Sequence, residues 1–227
     1  MTKLVLTRPA KAAQSLLRDV VQGLGHEPDV ILSPVIEIAP IGDWPVLPTG
    51  AEVILTSCNA VRGPLLGVNV HCVGQKTAEH ARAQGATIVT LAPDAHRLLD
   101  QLRETSGDAP LVHLCGSHKA VDIAAHLREM GRTTQDLQVY AQVTQPLSVA
   151  AKKAIEGEEP TLLPLFSPRS ARLTGQAIDR PGQRLRVIAI SDAVAAAWTE
   201  LMGGVVEIAP EPTGNAMVSR IVAALNA

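Results

Sequence analysis

Part of this sequence occurs twice, in altered form, about half the chain apart. Residues 55–62 read LTSCNAVR, and residues 165–172 read LFSPRSAR. Two further pairs of similar segments follow in the same order: residues 73–78 with 190–195, and residues 85–93 with 203–210. A period as long as a domain excludes solenoids and short-repeat arrays. The duplication therefore predicts two similar α/β domains, with a ligand-binding cleft between them.

Each copy of the first motif places a serine at the end of an apolar run that reads as a buried strand. Ser57 and Ser167 can each cap a helix through the side-chain oxygen, which leaves backbone N–H groups pointing outward. Such a turn attracts anions.

Composition limits the partners that the chain can have. Apolar residues make up 46% of the chain and aromatic residues only 2%, so few rings are present that could stack on bases. The formal net charge is −2 and no run of Lys or Arg occurs, which argues against nucleic acid and anionic membranes. No signal peptide and no stretch of about 18 apolar residues is present. We therefore expect a soluble, cytoplasmic protein.

The cysteines and histidines do not predict a metal site. Cys58, Cys72 and Cys115 are too scattered for a disulfide framework, so we expect reduced thiols. His113, Cys115 and His118 are close in sequence, but a strand followed by a tight turn would direct them differently, and no fourth ligand is nearby. We expect no bound metal.

No motif for a cofactor or a catalytic triad is recognisable. Gly-x-Gly-x-x-Gly and Walker patterns are absent, which argues against NAD and ATP. No nucleophile, base and orienting acid can be identified as a triad. The other histidines are expected on the surface or packed against helices: His26, His71, His80, His96 and His126.

Strand and helix patterns alternate along the chain, which predicts parallel, doubly wound sheets. About five strands fall in the middle of the chain, but only about three follow it, so the two N-terminal strands are needed to complete the other sheet. Pro164 within a predicted strand is expected only at a sheet edge or a bulge. We predict a discontinuous domain of residues 1–35 and 146–227, an inserted domain of residues 43–138, and linkers at 36–42 and 139–145 that could pair antiparallel.

Seven segments together resemble one known family in their order along nearly the whole chain. They are Thr7-Arg8-Pro9, Ser33-Pro34, residues 55–61, residues 73–78, Leu114 with Gly116, Val139-Tyr140 and residues 165–171. Each segment alone is common, but in this order they resemble the uroporphyrinogen-III synthase family.

The resemblance implies two flavodoxin-like domains joined by a two-stranded ladder, in agreement with the strand count. It also implies a cofactor-independent lyase of porphyrin and heme biosynthesis. The family cyclises hydroxymethylbilane, a linear tetrapyrrole, to uroporphyrinogen III while inverting ring D, whereas spontaneous closure gives the uninverted isomer. We expect a monomer, with the preceding enzyme of the pathway as a candidate partner.

Acetate and propionate chains on every ring of this substrate need hydrogen-bond donors. Open α/β sheets bind ligands at the carboxyl ends of their strands. Tyr140, the only tyrosine, is expected where the two domains join and is a candidate general acid, with a hinge hydrogen bond as the alternative. The candidate substrate-binding residues at such ends are Arg8, Ser57, Asn59, Arg62, Thr77, Gly116, Lys119, Ser167, Arg169 and Ser170.

One segment departs from the family pattern. Relatives usually have Gly-x-Thr-Thr-Ala where this chain has Ser191-Asp192-Ala193-Val194-Ala195, so two hydroxyl groups are missing. Asp192 adds a negative charge where an acidic ligand would approach; the alternative role, which we favour, is to cap the helix that follows. The departure also keeps open a second function, in which the same cleft binds a tetrapyrrole or another polyanion and acts as a non-catalytic sensor.

Overall fold

The computed structural model describes residues 2–104, 107–119 and 121–227. The chain divides into two compact units: Met1–Glu37 with Val143–Ala227, and Ile38–Gln142. We refer to these as unit 1 and unit 2. The chain passes between them inside the two segments predicted to be linkers.

Strands and helices alternate through both units. The strands are β1 (Lys3–Leu6), β2 (Val30–Leu32), β3 (Ile36–Pro40), β4 (Glu52–Leu55), β5 (Asn69–Val73), β6 (Thr87–Ala92), β7 (Leu111–Gly116), β8 (Thr134–Thr144), β9 (Thr161–Leu165), β10 (Leu185–Ala189) and β11 (Val206–Ile208). The helices are α1 (Ala10–Leu24), α2 (Gln75–Ala83), α3 (Ala95–Glu104), α4 (Ile123–Glu129), α5 (Val149–Glu156), α6 (Pro168–Gln176), α7 (Asp192–Met202) and α8 (Gly214–Leu225). Among the described residues, no helix is both long and apolar enough to cross a membrane.

Unit 1 contains a parallel sheet in the order β11-β10-β9-β1-β2. Successive residues of a strand point to opposite faces, and both faces are apolar here. Leu163 packs with Trp198 in one core, whereas Leu162 packs with Leu16 and Ile221 in another. Burial on both faces is typical of a doubly wound parallel sheet, and the predicted fold class is confirmed.

Pro164 lies in a central strand, so the expectation of an edge or a bulge is wrong. Within β9, the N–H of Thr161 and the C=O of Leu165 bond towards β10. The alternate residues, Leu162 and Pro164, therefore face β1. Pairing between β9 and β1 ends at Leu162. Pro164 lies beyond the end of this pairing, so its missing N–H group breaks no hydrogen bond to β1.

Unit 2 contains a sheet in the order β3-β8-β7-β4-β5-β6. Within the described part of the chain this sheet has six strands rather than about five, because β3 from the first predicted linker joins its edge. The N–H of Ile41 bonds to the C=O of Val139, and the N–H of Gln145 bonds to the C=O of Val35. One residue number falls as the other rises, so β3 and β8 run antiparallel, as the sequence suggested.

The duplication is visible in the topology of the two sheets. The order β7-β4-β5-β6 in unit 2 corresponds to β1-β9-β10-β11 in unit 1. The two copies differ after the serine: Ser167 caps the nine-residue α6, whereas Ser57 is followed only by a 3-10 turn at Cys58–Ala60. Pro64 disfavours helical backbone at the residue before it, which limits the length of a helix here. The first copy therefore lacks the α-helix that an anion-binding turn would require.

Helix α4 begins later than its sequence pattern predicts. The pattern predicts a helix over residues 119–130, but α4 spans Ile123–Glu129, and Ala120 lies outside the described residues. The Asp122 side chain accepts a hydrogen bond from the N–H of Ala125 at 3.1 Å, so Asp122 is the N-cap.

The position of Leu163 in β9 leads to a prediction about stability. Leu163 is fully buried, so Leu163→Ala should reduce the free energy of unfolding by about 2 to 5 kcal/mol, through lost burial and a residual cavity. Leu66→Ala removes the same atoms from a side chain that is 85% exposed and should change it by less than about 0.5 kcal/mol. Urea denaturation followed by circular dichroism measures both, and equal losses would contradict the assignment of the core.

Candidate functional site

The parallel strands of unit 2 bring several predicted site residues to one edge of the sheet. Ser57 follows β4, which lies between β7 and β5. Thr77 is in the first turn of α2, directly after β5. Gly116 ends β7, and its register partner on β8 is Tyr140. The carboxyl ends of parallel strands share one edge, so these residues lie at the place where open α/β sheets bind ligands.

Tyr140 is buried at this edge. The side chains of Ser57 and Gln142 interact with its hydroxyl group and favour ionisation, but burial has the larger effect on the pKa. Burial raises the pKa of the Tyr140 phenol, because it disfavours the phenolate. The phenol is therefore protonated at neutral pH and can donate a proton.

Gly116 provides the space that the tyrosine ring occupies. A Cβ atom at this position would lie 2.6 Å from Cζ of Tyr140, which is too close for any real side chain. The structure thus explains why position 116 is a glycine.

The remaining polar residues of this edge are partly used in local bonds. The hydroxyl of Ser57 accepts a hydrogen bond from the N–H of Asn59 at 3.2 Å. Thr77 is buried, and its N–H bonds to the C=O of Gly74. Asn59 is half-buried within the 3-10 turn.

Unit 1 brings a second group of predicted residues to the carboxyl edge of its own sheet. Arg8 follows β1, and Phe166 and Ser167 follow the neighbouring strand β9. Cζ of the Arg8 guanidinium lies 3.9 Å from the centroid of the Phe166 ring, within the range of a cation–π interaction. The hydroxyl of Ser167 accepts from the N–H of Ser170 at 3.1 Å. Ser170 itself is buried, and Arg169 is half-buried in the first turn of α6.

Arg62 contacts three backbone carbonyl groups in unit 2. Its Nη1 donates to the C=O groups of Val139 and Ile41, the latter at 3.0 Å, and its Nη2 donates to the C=O of Gly42 at 3.1 Å. These bonds connect β8 with the end of β3. The sequence analysis proposed Arg62 as a substrate-binding residue, but in the structure its guanidinium donates hydrogen bonds to the backbone.

Lys119 is paired with two carboxylates. Its Nζ lies 2.7 Å from Oδ2 of Asp136 and 3.1 Å from Oδ2 of Asp122. The hydrogen bond to Asp136 raises the pKa of Lys119, so the ammonium stays charged. Asp136 was not among the candidate site residues found from the sequence. It lies on β8, far along the chain from His113 and Lys119, and contacts them only once the chain is folded.

A buried polar cluster surrounds His113 on β7. Its Nδ1 lies 2.8 Å from Oδ1 of Asp136, and its Nε2 lies 3.4 Å from Oγ1 of Thr56. Sγ of Cys115 lies 3.9 Å from the same Asp136 oxygen. Burial lowers the pKa of His113, and burial together with Asp136 raises the pKa of Cys115 to about 11.

Three atoms of this cluster could act as metal ligands, but their surroundings favour an ion pair. The donor atoms of His113, Cys115 and Asp136 lie within 4.8 Å of one another. His118 is exposed and contacts Ser117 instead. The Lys119 ammonium already provides a positive charge at Asp136, and the raised pKa of Cys115 disfavours the thiolate. The expectation that no metal is bound therefore stays a prediction.

The expected helix cap at Asp192 is wrong. The N-cap of α7 is Ser191, not Asp192; the Ser191 side chain makes no capping hydrogen bond, and Asp192 is the first helical residue. A carboxylate in the first turn is favourable because of the helix dipole. Of the two positions expected for His71, the surface is excluded, because His71 is buried on β5, with Nε2 at 2.9 Å from Glu52 and Nδ1 at 2.9 Å from Thr90.

Two α/β units, each with polar groups at the carboxyl edge of its parallel strands, define a class of α/β proteins with duplicated domains. Residues 17–219 match the sequence profile of the family described as uroporphyrinogen-III synthase HemD. The chain belongs to this family, and the resemblance inferred from the sequence is confirmed. It is accordingly an enzyme of tetrapyrrole biosynthesis, a lyase that cyclises a linear tetrapyrrole.

Solved structures show the same fold at low sequence identity. The uroporphyrinogen-III synthetase of Helicobacter pylori is 16% identical with a TM-score of 0.67, and the match covers 98% of this chain and 99% of that one. A mutant uroporphyrinogen III synthase of Thermus thermophilus is 15% identical with a TM-score of 0.61, covering 100% of this chain and 99% of that one. No curated protein sequence matches the chain.

The lowered pKa of His113 leads to a prediction about acid stability. Below pH 6.5, the ordinary pKa of histidine, His113 is protonated in the unfolded chain but stays neutral in the folded protein. The unfolded state therefore binds more protons, and the free energy of unfolding falls as the pH falls. His113→Gln should flatten this loss between about pH 7 and pH 5. His80→Gln, at an exposed histidine, is the control. Urea midpoints measured across this range test the prediction, and an unchanged slope in His113→Gln would contradict it.

Proposed function

We propose that this chain cyclises hydroxymethylbilane to uroporphyrinogen III with inversion of ring D, and that its residues act mainly by positioning the substrate. The family membership supports the reaction, and the polar residues at the two sheet edges support the manner of binding. The lone pair of a pyrrole nitrogen expels the substrate's hydroxyl group, so the substrate supplies much of the driving force. The protein must hold the reacting ends in the conformation that leads to inversion, which proximity and orientation can favour strongly.

The proposed carboxylate-binding residues follow from their place in the fold. Arg8 presents a cation whose orientation is supported by the Phe166 ring. Hydroxyl and amide groups at the strand ends can donate to carboxylates, and charge-assisted hydrogen bonds of this kind are stronger than neutral ones. We retain as proposed substrate contacts Arg8, Ser57, Asn59, Thr77, Ser167 and Arg169. Arg62, Lys119, Gly116 and Ser170 are engaged in contacts within their own unit, so we assign them supporting roles.

The observation that carries the mechanism is the placement of Tyr140. Its phenol is buried at the carboxyl edge of unit 2, where the Ser57 side chain interacts with it, and its raised pKa keeps it protonated. We propose that it donates its proton to the departing hydroxyl, which leaves as water. Loss of the pyrrole N–H proton then balances the step and allows the phenol to be restored.

We also propose that the protein acts as a monomer in the cytoplasm, without metal or organic cofactor. Its substrate would come from the preceding enzyme of the pathway. The composition and the lack of nucleotide-binding motifs are the basis of this part of the proposal.

Isomer analysis of the porphyrin formed from hydroxymethylbilane tests the proposed function. Protein treated exhaustively with EDTA and given no nucleotide should still form the inverted isomer. Spontaneous closure without protein provides the reference for the uninverted isomer. If the protein binds the substrate but only the uninverted isomer forms, at the spontaneous rate, the non-catalytic sensor function would be favoured. Activity that returns only with stoichiometric metal would contradict the cofactor-independent reaction.

Replacing Tyr140 tests the proposed acid. Tyr140→Phe keeps the ring that packs against Gly116 but removes the proton donor, so turnover should fall by about tenfold or more. The effect should be near the low end for a general acid, because the pyrrole already expels the leaving group. Residual product should remain the inverted isomer. Full activity would make Tyr140 a structural residue, and a switch to the uninverted isomer would show that it shapes the bound substrate instead.

A further inference from the structure

Tyr140 lies on the far side of an irregularity in β8. The register with β7 pairs Cys115 with Gln138 and then Gly116 with Tyr140, so Val139 is an extra residue in the ladder. In a regular strand, Val139 and Tyr140 would point to opposite faces. Here both pack into the same core, which is the effect of a β-bulge. The bulge is therefore what turns the Tyr140 ring towards the face where Ser57 and Gly116 receive it.

The carbonyl group of the bulged residue is the point where Arg62 binds. The C=O of Val139 accepts hydrogen bonds from the N–H of Ile41 at 3.0 Å and from Nη1 of Arg62. The same guanidinium donates to the C=O groups of Ile41 and Gly42, the two residues that follow β3. Arg62 is half-buried, and its bonds to these carbonyls are charge-assisted. One side chain thus joins the bulge in β8 to the neighbouring segment.

A bulge interrupts the hydrogen-bond ladder and leaves an extra residue unpaired, so it needs other contacts to persist. The Arg62 fork provides them at the residue directly before the proposed acid. Lysine has a single ammonium group on a flexible stem and cannot reproduce a planar fork that reaches three carbonyls.

We propose that Arg62 is a positioning residue for the reaction: it holds the β8 bulge in the form that presents Tyr140 to Ser57, and it does not bind the substrate's carboxylates. The inference rests on the proposed acid role of Tyr140 as far as turnover is concerned. The position of the ring can be tested without reference to turnover.

The chain offers a specific spectroscopic probe, because Tyr140 is its only tyrosine. Protein grown on tyrosine labelled with carbon-13 at Cζ gives one resonance, whose chemical shift reports the environment and whose titration reports the pKa. In Arg62→Met, the resonance should move and the phenol pKa should fall towards its ordinary value of 10.0, because the ring loses its buried position. Arg62→Lys should shift both in the same direction by less. Arg97→Met removes an exposed guanidinium from α3 and should change neither.

Kinetics separate positioning from substrate binding. If Arg62 acts through Tyr140, Arg62→Met should lower kcat by about tenfold while KM for hydroxymethylbilane stays within about twofold. In a Tyr140→Phe background, the same substitution should have little further effect, because both changes remove one function. Gly116→Ala, which forces the ring to move without touching Arg62, should reproduce both the spectral change and the loss of kcat.

An unchanged tyrosine resonance together with a raised KM and a normal kcat would overturn the inference and make Arg62 a carboxylate ligand. If Arg62→Met does not fold, Arg62→Lys decides between the same two outcomes. A shifted resonance combined with a fully active Tyr140→Phe would disprove the proposed acid while supporting the placement of the ring by Arg62. The two failures are therefore distinguishable.

Discussion

The hydrogen bonding of β8 is the constraint on which the candidate site of unit 2 depends. This strand pairs with β7 on one side and with β3 on the other, and it carries both Asp136 and Tyr140. A single extra residue at Val139 decides which face receives the tyrosine. Had the register continued regularly, the ring would point away from Ser57, and the glycine at position 116 would face no ring.

The cations of unit 2 illustrate how a fold uses charge internally. Lys119 is paired with Asp122 and Asp136, and Arg62 is bonded to three backbone carbonyls. A partly buried charge is expensive unless paired or hydrogen-bonded, so such contacts have a structural effect even at a ligand-binding edge. In the proposed binding mode, hydroxyl and amide groups at this edge can also donate hydrogen bonds to the substrate's carboxylates. In unit 1, Arg8 offers a cation beside an aromatic ring.

The two copies of the duplicated pattern share topology but not detail. Both place a serine after the corresponding strand, yet only Ser167 caps an α-helix, whereas Ser57 caps a 3-10 turn and interacts with the Tyr140 phenol. The copies differ again at α2 and α7, which begin after Gly74 and Ser191. A repeated sequence pattern therefore identifies equivalent positions in the two sheets without giving them equivalent chemistry.

The sequence by itself determined the α/β class, the parallel sheets and the discontinuous arrangement of the chain, because strand and helix periodicity and strand counts are local properties. The order of short motifs was enough to identify the family. Only the tertiary structure decided that Pro164 lies in a central strand beyond the end of a ladder, that a bulge turns Tyr140 towards Ser57, and that Asp136 pairs with Lys119. Arg62 shows the physical reason: its bond to Val139 joins residues 77 positions apart. No local pattern predicts such a contact, since it exists only once the strands are aligned in register.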